Sequence, residues 1–161
     1  MKSNKWLWII GIIFTLSLSG CGGGFGGKSE CKELIQDFEE ACNELDVQGI
    51  LNCIDPKVSD PIKTVVAIGG IVTDNVDQYL EDIMSGIGKE LTDAVGSNGT
   101  TEDVLASIQL EPKKYSLKQK EGTVRCVAIF EVNGMDITKT LNISVVKKND
   151  EWYVSGISIV E

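Results

Sequence analysis

"TLNISVVKKNDEWYV", residues 140–154, changes pattern partway along, and that change decides the fold. Leu141, Ile143 and Val145 alternate with Thr140, Asn142 and Ser144. This period of two belongs to a half-buried strand. Lys148-Asn149-Asp150 then reads as a turn, and Trp152 to Val160 as a closing strand. Two strands joined by so short a connection lie antiparallel. Upstream, Asn133-Gly134 is a strong hairpin signal. It follows Thr123–Val132, a strand apolar on both faces, which begins after a turn at Glu121-Gly122. Earlier still, Val104, Ala106, Ile108 and Leu110 alternate and predict a strand from 104. Pro112 interrupts it, and Tyr115 and Leu117 resume it.

The first half has a different period. From Ser29 onward, Cys31, Leu34, Ile35, Phe38, Cys42 and Leu45 fall at helical spacing. The acidic run Asp37-Phe38-Glu39-Glu40 reads as the solvated side of that helix, not as a cation site. Asp46 is placed to cap a second helix, Val47 to Ile54, which Asp55-Pro56 ends. Ile62–Val72 is an apolar run expected to be helical and to end or bend near Gly69-Gly70. Asp74 or Asn75 is positioned to cap the next helix, with a stripe at Val76, Leu80, Ile83, Ile87 and Leu91. A loop follows at 96–99. Helices first and antiparallel strands last give an α+β class: N-terminal helices packed on a curved antiparallel four-stranded sheet.

This order of elements resembles the nuclear transport factor two-like cone fold, and most of all the small lipoproteins of Gram-positive bacteria that carry it. The matching pieces are Phe38–Pro56, "FEEACNELDVQGILNCIDP", and Thr140–Val154. The segment 57–95 exceeds what the simplest members need and reads as a helical insertion. The resemblance implies a cone-shaped interior, used by some members for catalysis and by others for binding. The enzymes place an acid or a histidine inside, with a tyrosine or second acid to polarise a carbonyl. This chain has no histidine. The polar candidates on its strands are Tyr115, Arg125, Glu131 and Asp136. Arg125 and Glu131 are six residues apart and share one face with Val127 and Ile129, read as the solvent side of the sheet, with a buried pair lining a pocket as the alternative.

The N-terminus carries a separate message. Met1–Lys5 holds two lysines and no acid, and Trp6–Leu18 is a mostly apolar stretch of 13 residues. A membrane-spanning helix needs about 20. A basic head, a short apolar middle and small residues at the end form an export signal. Its end, Leu18-Ser19-Gly20-Cys21, resembles the lipobox of bacterial lipoproteins. That resemblance implies diacylglycerol on the Cys21 thiol and cleavage just before it. Residues 1–20 are then the signal, 21–28 a glycine-rich tether, and 29–161 one domain. The expected location is the extracytoplasmic face of the cell membrane, held by lipid.

Charge narrows the partners. The chain has 15 basic and 24 acidic residues. Loss of Lys2 and Lys5 with the signal leaves 13 basic residues against 24 acids, a net charge of −11. That repels nucleic acid. Without histidine the commonest general base is missing, and no cofactor or metal site is expected. The reading is a non-catalytic module that binds a small apolar ligand or an envelope protein. The alternatives are a small isomerase or hydrolase acting in the cone, or an architectural or inhibitory surface protein. A homodimer through the two-sided apolar strand is compatible with the sequence.

Two further groups of residues are candidates. Cys31, Cys42, Cys53 and Cys126 are even in number in an exported chain. A continuous first helix separates Cys31 from Cys42 by about 16 Å, which excludes that pair. Open alternatives are Cys42–Cys53 with Cys31–Cys126, Cys31–Cys53 with Cys42–Cys126, or four free buried thiols. The apolar residues Ile62, Val65, Val66, Ile68, Leu80, Ile83 and Ile87 are candidates to line or cover the open end of the cone, either as a static core layer or as a movable lid.

Overall fold

The computed structural model describes residues 26–69, 76–88 and 100–160. Among them are five helices, α1 (Gly26–Asn43), α2 (Val47–Cys53), α3 (Pro56–Gly69), α4 (Val76–Ile87) and α5 (Thr101–Ser107). Four strands follow, β1 (Gln109–Leu117), β2 (Glu121–Val132), β3 (Met135–Lys148) and β4 (Glu151–Ile159). They form one antiparallel sheet in the order β1-β2-β3-β4. Cys21 and the signal lie outside the described residues, as do the expected caps Asp74 and Asn75 and the end of the stripe at Leu91.

Each strand alternates as the pleat requires. Val124, Cys126, Ala128, Phe130 and Val132 of β2 point to the helices, as do Leu141, Ile143 and Val145 of β3 and Trp152, Val154 and Ile157 of β4. The helical spacing of α1 buries Cys31, Leu34, Ile35, Phe38 and Cys42 in the same core. Burial on this scale supplies the dominant favourable term, about 25 cal/mol per Å² of apolar area. Asn133 and Gly134 both take positive φ, 53° and 75°, as a two-residue hairpin loop demands. Asn149 and Asp150, at 50° and 67°, make the second tight turn without a glycine.

Asp46 caps α2 as its position predicts, accepting from Gln48 N at 3.1 Å. The chain then runs beside the free edge of β4: Ile54 bridges to Val154 in parallel, and Asp55 N donates to Val154 O at 2.8 Å. This contact fixes α2 and α3 to the sheet.

Two expectations require correction. The alternation from Val104 is helix, not strand. Thr100 and Asp103 form a capping box that nucleates α5, Val104 and Leu105 are adjacent and both buried, and Ala106 is exposed. The strand begins only at Gln109, and Pro112 is accommodated inside it on the sheet edge, beside a register shift between Pro112 and Lys114. At the other end, α1 starts at Gly26 and not after Lys28. The glycine-rich stretch therefore gives its last residues to the helix.

Candidate functional site

The interior comes first, because the sequence pointed there. Val124, Cys126, Ala128, Leu141, Ile143 and Val154 are each 0% exposed, and Phe130 and Val145 are 1%. Leu80, Ile83, Met84 and Ile87 of α4 enter the same core. No acid, amide or base stands among these inward strand residues. The cone is filled along these rows.

The polar candidates lie elsewhere. Arg125, Glu131 and Asp136 are exposed on the outer face. Arg125 Nε donates to Asn142 Oδ1 at 3.2 Å, and Glu131 stands opposite Asp136 in the register. Tyr115 faces inward at the edge, half-buried, with Lys28 Nζ 5.2 Å from its ring centre. Burial pushes its hydroxyl above the ordinary range. Glu131 and Asp136 are thus cross-strand neighbours on the outer face, and Tyr115 lies on the opposite face of the sheet.

The candidate lid residues divide. Val66, Leu80, Ile83 and Ile87 are buried in the core, Ile62 is half-buried, and Val65 is 58% exposed. The side chain of Ile68 lies outside the described residues. The surroundings of Gly69 and Gly70 lie outside the described residues; at Gly86 a Cβ would stand 2.7 Å from Val58 Cγ1. All four domain cysteines are free thiols, Cys31, Cys42 and Cys126 buried and Cys53 half-buried. Burial pushes the thiols of Cys31 and Cys53 up to about 11 and that of Cys126 to about 12. Burial raises Cys42 as well, with a further contribution from Cys53 nearby.

The sequence reading missed a cleft of about 500 Å³ on the outer face of the sheet. Asp55, Ser116, Lys118, Glu121, Gly122, Thr123, Ser144 and Ser155 contribute to its lining. Ser116 pairs with Thr123 and Thr123 with Ser144. Ser155 is the extra residue of a β4 bulge, where Ser144 pairs with Gly156 and Val145 with Val154, and it lines the same cleft. Asp55 closes the end at the β4 edge. It is 7% exposed, accepts from Lys57 N at 2.8 Å and is ion-paired with Lys148 Nζ. Burial acts to raise its pKa, but the Lys148 ammonium and the Lys57 N–H outweigh that and hold the carboxyl below its ordinary 3.8. A carboxylate so held does not serve as a base near neutrality. The row of hydroxyls is invisible in the sequence because it depends on cross-strand pairing that no local pattern encodes.

Among the described residues no helix is long and apolar enough to cross a membrane, and no group of three His, Cys, Asp or Glu is placed to hold a metal ion.

The chain matches no protein-family profile and no curated protein sequence. Solved structures do resemble it. An NTF-2 like protein of unknown function from Shewanella oneidensis superposes with a TM-score of 0.52 at 12% identity, over 84% of this chain and 99% of that one. A SEC-C motif containing protein from Rhodopseudomonas palustris gives 0.49 at 19% identity, over 80% and 77%. A proposed ketosteroid isomerase from Shewanella frigidimarina gives 0.48 at 12%, over 84% and 98%. The last two are too distant in shape to carry an argument. The first, with the helices and the four-stranded antiparallel meander described above, shows that this chain has the α+β nuclear transport factor two-like fold.

Proposed function

We propose that the protein is an extracytoplasmic lipoprotein, anchored through Cys21, whose domain is a non-catalytic binding module. The observation that carries the non-catalytic part is the closed interior. The place where enzymes of this fold keep their acids holds Val124, Cys126, Ala128, Phe130, Leu141 and Ile143, each 0–1% exposed. General acid–base chemistry needs a positioned titratable group within hydrogen-bond reach of substrate. Here the fully buried inward positions of β2, β3 and β4 offer only apolar side chains and one thiol, Cys126, whose burial keeps it protonated, while Tyr115, Lys139 and Lys147 on the same face are half-buried. The anchoring part rests on Leu18-Ser19-Gly20-Cys21 behind a basic, 20-residue export signal.

Fractionation tests the anchor. The wild-type chain is expected in the membrane fraction, extractable by detergent and not by salt. Cys21→Ala is expected to accumulate as unprocessed precursor or as shed protein. Equal processing of the two chains would refute the anchor.

A further inference from the structure

The outer-face cleft has a shape set by the strand register. Its central row, Ser116, Thr123, Ser144 and Ser155, carries one short hydroxyl side chain from each of the four strands. Neighbouring strands are about 4.8 Å apart, so the row spans about 14 Å. On one side runs Glu121, Val146 and Tyr153; on the other run Lys114, Arg125 and Asn142. Longer side chains flank short ones on both sides, and a trough crosses the sheet. Gly122 contributes no side chain to its wall.

The chemistry of the trough is specific. Within the described chain none of the four hydroxyls is engaged in a side-chain hydrogen bond, so each is free to donate once and accept twice. Lys118 pairs with Glu121 at 3.4 Å, and Lys148 pairs with Asp55, while Arg125 on the flanking row donates to the neutral Asn142 Oδ1. An apolar ligand would cover hydroxyls that it cannot bond, which costs free energy. A ligand rich in hydroxyls avoids that cost. A volume of about 500 Å³ lies within the range of small-molecule sites.

The entry point of the chain adds a location. The would-be Cβ of Gly27 stands 3.5 Å from the Trp152 ring and 3.6 Å from Leu117, next to Ser116. Glu30 Oε2 accepts from Trp152 Nε1 at 2.9 Å and from Lys147 Nζ at 3.2 Å. The start of α1 is thus fastened to the helix-side face of the sheet, at the end that carries Leu117 and Trp152. Four residues, 22–25, lie between Cys21 and α1, so the five steps from Cys21 to Gly26 reach at most about 18 Å. On the anchoring reading proposed above, the cleft is held close to the membrane surface.

We propose that this cleft binds neutral polyhydroxylated ligands: the sugar headgroup of a glycolipid, or a free oligosaccharide of the same chemistry. The test is amide exchange on the mature chain in phosphatidylcholine vesicles. The probes are diglucosyl diacylglycerol in the bilayer, and maltotetraose and cellotetraose in solution at millimolar concentration. Exchange across 114–125 and 142–157 is expected to slow with at least one probe. Protection by the glycolipid alone identifies the membrane source, and protection by a tetrasaccharide identifies the sugar itself. Ser144→Leu, which fills the trough from the solvent face, is expected to weaken the effect about tenfold. Thr123→Val, which keeps the shape and removes a hydroxyl, is expected to weaken it severalfold. No protection with any of the three probes overturns the proposal. So does equal protection in Ser144→Leu, equal protection by phosphatidylglycerol vesicles without sugar, or protection that grows with protein concentration alone and marks a second copy. Loss of the anchor would appear separately, as failure to float with plain phosphatidylcholine vesicles, and the tetrasaccharide arm does not depend on it.

Discussion

Replacing Asp55 by alanine removes two interactions at once. Its Oδ1 accepts from Lys57 N at the first turn of α3, at 2.8 Å, and it ion-pairs with Lys148. Loss of a helix-capping acceptor costs about 1 kcal/mol. Breaking a fully buried pair costs about 3–5 kcal/mol, because the remaining charge is stranded. Here the Lys148 side chain is 28% exposed and can turn to water. The pair is therefore assigned about 1 kcal/mol, well under the buried value. The sum, about 2 kcal/mol, corresponds to a fall in Tm of about 4–8 °C in a chain of this size. Asp55→Asn keeps the acceptor and removes the charge, so it is expected to lose about half as much. The pH dependence has a definite sign. The folded carboxyl titrates below its ordinary 3.8, so the stabilisation is complete above that value and disappears as pH falls through the folded pKa. Urea unfolding followed by circular dichroism at neutral pH and near pH 3 measures both effects. Asp55→Ala within about 0.5 kcal/mol of the wild type at neutral pH would refute the reasoning. So would a gap between wild type and Asp55→Asn that widens in acid.

Phe130→Ala is expected to cost about 3–5 kcal/mol in the same assay, because the ring is 1% exposed and the filled interior leaves a cavity behind it. Gly122→Ala is expected to destabilise by about 1–3 kcal/mol, since its Cβ would meet Ser116 O at 2.8 Å and Leu117 Cα at 2.9 Å, both backbone atoms that cannot swing aside. Alkylation of the native domain at pH 8 is expected to be slow at all four cysteines and fastest at half-buried Cys53, with Cys31, Cys42 and Cys126 reacting only on unfolding; mass spectrometry of labelled peptides checks the order.

The legible parts of the fold were those with an unambiguous period or turn. Asn133-Gly134 demands positive φ and takes it, and Leu141, Ile143 and Val145 alternate over a long strand with nothing to compete. The 104–110 stretch was misread because four alternating residues are too few to outweigh a capping box at Thr100 and Asp103, and because adjacent burial of Val104 and Leu105 has no place in a period of two. Counting alone places Arg125 and Glu131 on one face, and their exposure makes that face the solvent side. The cleft was not legible. Ser116, Thr123, Ser144 and Ser155 are ordinary strand residues until the pairing of β1 with β2 and of β2 with β3, and the bulge at Ser155, place them along one cleft. Asp55 joins them only because Ile54 bridges to Val154, a contact about 100 residues apart in sequence that no local pattern encodes.

The central claim is an anchored domain, and the mass of the mature N-terminal peptide tests it most directly. The protein is purified with detergent from the membranes of cells that make it, digested, and its first peptide is measured by mass spectrometry. The expected peptide begins at Cys21, lacks residues 1–20 and carries a diacylglycerol on the thiol, with the mass of the two ester-linked acyl chains lost on treatment with lipase and the glyceryl thioether retained. A first peptide beginning at any other residue, or a Cys21 peptide with an unmodified thiol, would contradict it.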